Sequence, residues 1–389
     1  MGYEPTVFNQ LFNFIPRYVF EKSALAYGAD RYVRHFKAWH QFLVLLYAQA
    51  TGKRSLREIE GSLQIHHAKL YHLGLRPVPR STLSDGLERR DKALFEDLFH
   101  AMMQQAVRKS PRHGFRFKNP LYSIDATTID LCLSVFDWAK FRKQKGAIKL
   151  HCQLDHAGHI PSFVHISDGK LSDLKAAETF FKLLPDSIYC FDKAYVGYNW
   201  LYRIHKAKAF FVTRAKENMD YRITGQQEPD RAKGVISDYK IRLKAKSSVQ
   251  KYPRQMRLIQ FRDEQTSTVY RFLTNNFRLS AATIAAIYKQ RWQIELFFKW
   301  IKQNLKIKTF LGTSKNAVMA QVWTAMTYYL LLSYIKFMSK THLSLGTFAR
   351  RMKDGLMMHM DLLELLRTGK IKPMKPPDAS DQIQMRLCF

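Results

Sequence analysis

The chain has 389 residues, 46% of them hydrophobic and 24% charged, a composition that supports a folded protein and excludes a disordered one. Its 63 Lys and Arg against 32 Asp and Glu leave a net charge of +31, a field that attracts polyanions by releasing their condensed counterions. Nucleic acid is the expected partner, and an anionic membrane fits less well because the excess is spread along the chain without a lipidation motif or a single polybasic block.

The length favours two or three structural units. Four cysteines (Cys132, Cys152, Cys190, Cys388) with no CxxC pair argue against a zinc site or a disulfide framework and fit a reducing, cytoplasmic setting. The first residues carry no basic-then-apolar signal pattern. The apolar stretch Val318 to Ile335 is interrupted by Gln321, Thr324, Thr327 and Ser333, so a buried core helix is expected rather than a membrane span.

In chain order, residues 1–115 read as a helical region. Ser55 followed three residues later by Glu58 is a capping-box pattern opening a helix through Ile65. After a connector with Gly74, Pro77 and Pro79, a short helix runs from Arg80 toward Arg90 and offers Arg80, Ser81, Thr82, Ser84, Arg89 and Arg90 as a DNA-reading face in the helix-turn-helix manner. A plain bundle with a solvated basic face explains the same pattern.

Near Asn119-Pro120 the character changes. Leu121 to Asp125, Ala147 to Leu154 and Ile160 to Ile166 read as strands, the last two joined by the turn Asp155-His156-Ala157-Gly158. Leu171 to Leu184 has helical spacing, and Ser187 to Phe191 is a buried strand ending at Asp192. A helix from Tyr198 to Lys206 leads to a strand over Ala209 to Thr213. Alternating strands and helices predict a mixed α/β sheet with helices packed on it. The β-rich segment 217–275 reads as an insertion with a basic face. A long helix then runs from after Ser280 to about Asn304, and helices resume after Gly312 before a Lys/Pro-rich tail, Lys370 to Asp378.

Asp125 and Asp192 both end predicted strands, where ligands of open sheets collect, although a single Asp there is more often a turn former or cap. On the long helix, at about 100° per residue, Tyr288, Arg291, Glu295 and Lys302 fall within an arc of about 60°, with Ile294, Phe297 and Ile301 on the opposite, apolar side. That stripe is either a carboxylate flanked by phosphate-holding groups or a solvated face with an Arg291–Glu295 pair at i,i+4. Asp130, Asp155, Asp168 and Asp173 read as turn or cap residues. His151, His156, His159 and His165 have the spacing of a hairpin rather than of a metal site.

The spacing Tyr288, Arg291, Glu295, Lys302 resembles the Y-x2-R-x3-E-x6-K signature of the DDE transposases of the insertion-sequence-4 family. Ser123-Ile124-Asp125-Ala126-Thr127 and Cys190-Phe191-Asp192-Lys193-Ala194-Tyr195 resemble its two Asp motifs. The resemblance implies a ribonuclease-H-like core over 116–216 and 276–340, a β-rich insertion over 217–275, a helical DNA-binding region over 1–115 and a helical, basic C-terminal region over 341–389. It implies that Asp125, Asp192 and Glu295 hold two Mg²⁺ ions about 3.5–4 Å apart, with Mn²⁺ able to substitute and Asp125 bridging the pair. DNA would be handled by Tyr288, Arg291, Lys302 and Lys299, with Arg214, Lys216 and Asn218 resembling a cluster near the DNA, and with Arg80 and Arg89 on the helical region. The expected partners are double-stranded DNA, as transposon terminal inverted repeats and target, and a second copy of the chain on that DNA. The expected setting is the bacterial nucleoid, with no membrane. An endonuclease on the same core that does not join ends, or a transposase-derived DNA-binding protein without activity, are the alternatives.

Overall fold

The computed structural model describes residues 5–132, 136–142, 145–304 and 310–367; the tail Lys370 to Asp378 and Cys388 lie outside them. Helices α1 (Val7–Leu11), α2 (Arg17–Ala26), α3 (Ala38–Thr51), α4 (Leu56–Ile65), α5 (His67–Leu70), α6 (Arg80–Arg89) and α7 (Ala93–Lys109) precede the first strand. The Ser55 cap forms as read, its Oγ accepting the Glu58 amide at 3.2 Å, while the Glu58 carboxylate reaches back one residue further and accepts the Arg54 amide at 2.9 Å. Arg90 does not join the exposed face of α6. It is buried, donates to Gln41 Oε1 at 2.8 Å and to the carbonyls of Ala29 and Phe36, and so ties α6 to the loop before α3. Thr82 and Ser84 are half-buried, which leaves Arg80, Ser81 and Arg89 exposed.

Among the described residues ten strands make one sheet: β1 (Leu121–Leu131), β2 (Lys140–Arg142), β3 (Lys145–Asp155), β4 (Ile160–Asp168), β5 (Ile188–Phe191), β6 (Phe210–Arg214), β7 (Tyr221–Gln227), β8 (Val235–Leu243), β9 (Met256–Arg262) and β10 (Val269–Thr274). Helix α8 (Asp173–Phe180) precedes β5, α9 (Tyr198–Lys206) follows it, and α10 (Lys246–Lys251) sits between β8 and β9. The order is β2-β3-β1-β5-β6-β10-β9-β8-β7, with β4 paired to β3. The β3–β4 turn is closed by Asp155, whose Oδ1 accepts the Ala157 amide at 2.8 Å, and by Gly158 at φ 82°.

The structure adds to the sequence reading and departs from it in several places. Strand β1 does not stop at Asp125: Thr127, Thr128 and Ile129 are β-branched and carry the antiparallel pairing with β3 on to Leu131 opposite Gly146. The β-rich segment joins the main sheet: β10 pairs antiparallel with β6 and extends it, with β7 at its far edge. Strand β7 was not anticipated; its polar, largely exposed sequence lacks a buried alternating face. The helix read over Leu171 to Leu184 is shorter, capped by Ser172 and ended at Phe181, which turns extended and is buried.

The predicted long helix is two: α11 (Ala281–Gln290) and α12 (Trp292–Asn304) meet at Arg291. There the Arg291 amide donates to Tyr288 O at 3.0 Å and the Ile294 amide to Arg291 O at 3.1 Å, three-residue bonds that tighten one turn. No Gly or Pro marks the junction in the sequence. Ile294, Phe297 and Ile301 are buried as expected, and α12 packs on β1 while α11 packs on β5 and β6.

Helix α13 (Lys315–Ser339) is buried continuously from Ala317 to Ser333 and packs on α7 and α3, followed by α14 (Leu345–Gly355) and α15 (Leu362–Arg367). A helix apolar all round belongs to a core, where each fully buried Leu, Ile or Val contributes about 1.5–3 kcal/mol. Among the described residues no helix is long and apolar enough to cross a membrane.

Candidate active site

Parallel pairing of β1 with β5 sets the first two carboxylates. The last partners are Ile124 and Phe191, so the next residue on each strand is Asp125 and Asp192, side by side where the ladder opens. On its other flank Asp125 remains in the β3 ladder opposite Cys152, so its backbone is held while its side chain faces the opening. Asp192 caps a short 3₁₀ turn (Lys193–Tyr195), accepting the Lys193 amide at 2.6 Å.

The third carboxylate reaches the same place through an arginine. Arg291, at the α11–α12 junction, donates to Glu295 Oε1 at 2.6 Å and has Nη1 3.9 Å from Asp125 Oδ2, so one guanidinium links the two acids. The i,i+4 pair of the second reading forms, but beside Asp125 and on a largely buried arginine rather than on a solvated face. A second guanidinium, Arg214 at the end of β6, holds Asp192 Oδ1 at 3.0 Å. Tyr288 lies between the two cations, its ring 5.6 Å from Arg291 and 6.0 Å from Arg214, and rests on Phe272 at 4.9 Å. Nε of both arginines and the Tyr288 hydroxyl are buried without a hydrogen-bond partner.

The two aspartates differ electrostatically. Burial pushes the Asp125 carboxyl up to about 6, against the pull of the Ala126 amide and the Arg291 charge. Burial also pushes Asp192 upward, but the hydrogen bonds from Arg214 and the Lys193 amide, with the two arginine charges, outweigh it and hold that carboxyl below its usual value. Burial raises the Tyr288 hydroxyl to about 12.

Other residues singled out in the sequence are placed less centrally. Lys216 donates to Val196 O at 2.8 Å, tying the loop after β6 to the loop after Asp192, and Asn218 is exposed beyond it. Lys299 is exposed and Lys302 half-buried further along α12, the latter about two turns beyond Glu295. Arg80 and Arg89 stand at the ends of α6, which packs on α3, α4 and α13. Among the described residues, no three His, Cys, Asp or Glu side chains are grouped so as to hold a metal ion; each of the three carboxylates faces an arginine instead.

Two neighbours named in the sequence without a specific role, Tyr195 and Asp173, lie close to the site. Tyr195, three residues after Asp192, buries an unpartnered hydroxyl that burial and the charges of Asp125 and Asp173 keep well above its usual pKa. Asp173, read as a turn or cap residue, does open α8, but it also pairs with Lys149 at 2.9 Å and lies 3.8 Å from His151 Nδ1. Its Ser172–Asp173 cap pattern gave no sign of that pairing. His151 and His156 are held neutral by burial, at about 4 and about 3. Each is engaged locally, His151 with Ser167 Oγ at 2.9 Å and His156 with Ser123 Oγ at 2.7 Å.

Residues 116–331, more than half of the chain, match the family model described as the Transposase DDE domain. The chain belongs to the DDE transposase family. It is thereby an enzyme of the class that cuts DNA and transposes it. Residues 4–76 match a domain of unknown function, DUF4372. The transposase is 34% identical to a protein named as transposase y4zB of Sinorhizobium fredii over 75% of this chain and 81% of that one. It is 29% identical to one named as the transposase of insertion sequence element IS5377 of Geobacillus stearothermophilus, over 66% and 68%. It is 22% identical to one named for insertion sequence element IS4SA of Synechocystis, over 66% and 72%.

Proposed function

We propose that Asp125, Asp192 and Glu295 are the catalytic, metal-holding carboxylates of this transposase, acting on double-stranded DNA at the terminal inverted repeats and on target DNA. The observation that carries the reading is the β1–β5 register, which sets Asp125 and Asp192 side by side at the open end of a parallel pair, with Glu295 brought in by Arg291. The donor set is all carboxylate oxygen, which suits Mg²⁺ or Mn²⁺. Asp125 is short of compensation, since it accepts one amide and its nearest guanidinium nitrogen is 3.9 Å away. A buried carboxylate in that state favours an added cation.

When bound, two divalent ions supply activation of the attacking oxygen and stabilisation of the leaving oxygen in an in-line displacement at phosphorus. The chain's own residues do the rest. Arg291 and Arg214 are drawn from the carboxylates onto phosphate oxygens, for which their unused Nε donors are available. Tyr288 holds the two guanidinium planes apart and fixes their direction. Lys302 and Lys299 continue the positive stripe along α12 toward the DNA backbone, and Lys216 braces the loop behind Asp192.

The strand order β4-β3-β1-β5-β6, with an antiparallel meander followed by strands parallel to β1, supports a ribonuclease-H-like core over 116–216 and 276–340, extended by the β-rich segment 217–275. The Tyr288, Arg291, Glu295, Lys302 spacing supports placement in the insertion-sequence-4 group. Residues 1–115 would bind DNA through Arg80 and Arg89, the helices after residue 341 would form an end region as far as Arg367, and two copies would join two transposon ends in a bacterial nucleoid.

The test is cleavage of a labelled duplex carrying the terminal inverted repeat, by wild type and Glu295→Ala, in Mg²⁺ and in EDTA. Metal-dependent nicking by wild type alone is expected. Equal nicking by the variant removes Glu295 from the reaction, and joining of the cut end to a second duplex separates a transposase from an endonuclease that only cuts.

A further inference from the structure

At the far edge of the sheet, β7 and β8 place Arg222 directly opposite Arg242, and both side chains are exposed. Directly opposed residues of an antiparallel pair project from the same face, so two guanidinium groups are set together there. Like charges in that position destabilise a sheet. Lys244, on the residue after β8, and Arg254, before β9, line the same hollow of about 290 Å³, whose floor includes Tyr252 and Val249. None of these four cations makes an ion pair among the described residues. Elsewhere in the same region the opposite choice is made: Lys233 pairs with Asp230 at 2.7 Å, and Lys289 lies 3.9 Å from Asp263. Four cations lining one concave surface, with no acid in ion-pair contact with them although Asp220 accepts the Lys244 amide through its carbonyl, form an anion receptor.

We propose that this hollow binds backbone phosphates of duplex DNA, as a second anchoring point remote from the carboxylates. The proposal deepens the DNA-handling reading above and rests on it. Strand β7 is six places from β1 in the sheet order, about 29 Å at 4.8 Å per strand. At 3.4 Å per base pair, a duplex held at the carboxylates reaches the hollow after about eight base pairs. The same contact would explain why the sheet is extended so far beyond the strands that carry the aspartates.

The test uses the full chain, metal-free in EDTA, and a 30-base-pair duplex, comparing wild type with the Arg222→Gln, Arg242→Gln double variant. Each phosphate contact contributes about 0.9 to the slope of log affinity against log salt, so the variant's slope should be shallower by about 1.8 and its affinity lower. Its melting temperature should be unchanged or higher, because opposed like charges have been removed. A structural role for the arginines would lower the melting temperature and overturn the proposal. An unchanged slope with increased self-association would also overturn it, since the charges would then serve only to keep the exposed β7 edge from pairing with other strands. An equal loss of slope in Lys182→Gln, Lys340→Gln, two exposed lysines after α8 and α13 outside the hollow, would reduce the effect to net charge and overturn it as well. Inorganic phosphate that raises the melting temperature of wild type but not of the variant, without any change in duplex slope, would assign the hollow to a small anion instead. Binding slopes are read without metal, so loss of cleavage in Glu295→Ala stays independent of this result.

Discussion

Two kinds of arginine–carboxylate pair are built into the same sheet. Between β8 and β9, Arg257 meets Asp238 as a fork, Nε to Oδ1 at 2.8 Å and Nη2 to Oδ2 at 2.6 Å, while Nη1 donates to the carbonyls of Asn276 and Leu279. Both side chains are 3–4% exposed, and the guanidinium nitrogens are all engaged. At the carboxylate site, Arg291 and Arg214 each leave Nε unpaired, and Asp125 is met only at 3.9 Å. A pair that closes on itself holds strands together, whereas one that leaves donors and charge unused is poised for a ligand. The difference lies in completeness, not in residue type.

The comparison can be broken most strongly at the closed pair. Arg257→Ala strands a buried carboxylate and should cost about 3–5 kcal/mol in urea unfolding; a loss below 1 kcal/mol would show that the fork is not structural. At the open site the sign reverses. The Asp125 carboxyl titrates near 6 in the folded protein against an ordinary 3.8. The folded state therefore keeps a proton that the unfolded chain releases, and wild-type stability falls as pH rises through that window. Asp125→Asn should then be more stable above pH 6, by at most about 3 kcal/mol at about 1.4 kcal/mol per pKa unit, with no gain below pH 4. Equal stability at pH 7 would show that Asp125 is already compensated.

Arg291→Ala should have the smallest effect on stability, within about 1 kcal/mol, because its partner Glu295 is one-third exposed and such pairs contribute little. It should nevertheless move the Asp125 titration to higher pH, read by carboxyl NMR, since the Arg291 charge lowers that pKa. A titration that stays in place would remove Arg291 from the electrostatics of the site.

Features that depend on neighbours in sequence were legible. Ser55 caps α4, α9 spans Tyr198 to Lys206 as its period indicates, and the apolar side of α12 is buried. The three proposed carboxylates were singled out by the motif resemblance, since strand-end positions and a helical stripe fit turn formers and an ordinary i,i+4 pair equally well. What stayed hidden depends on contacts distant in sequence. Arg90 looks like any exposed basic residue until Gln41 and the Ala29 and Phe36 carbonyls surround it. The continuation of β1 past Asp125 is decided by its β3 partner, and the joining of the β-rich segment to the main sheet by β6. The tightened turn at Arg291 has no Gly or Pro to announce it. That the arginines would sit on the acids, instead of beside them, requires β6 and the α11–α12 junction to converge.

Direct counting of bound Mn²⁺ by electron paramagnetic resonance, on metal-free wild type and Asp125→Asn at pH 7.5, tests the central claim most closely. Saturable Mn²⁺ binding by wild type, competed by Mg²⁺ and lost or at least tenfold weaker in the variant, is the predicted result. Binding of the same number of ions with the same affinity by both proteins would contradict it.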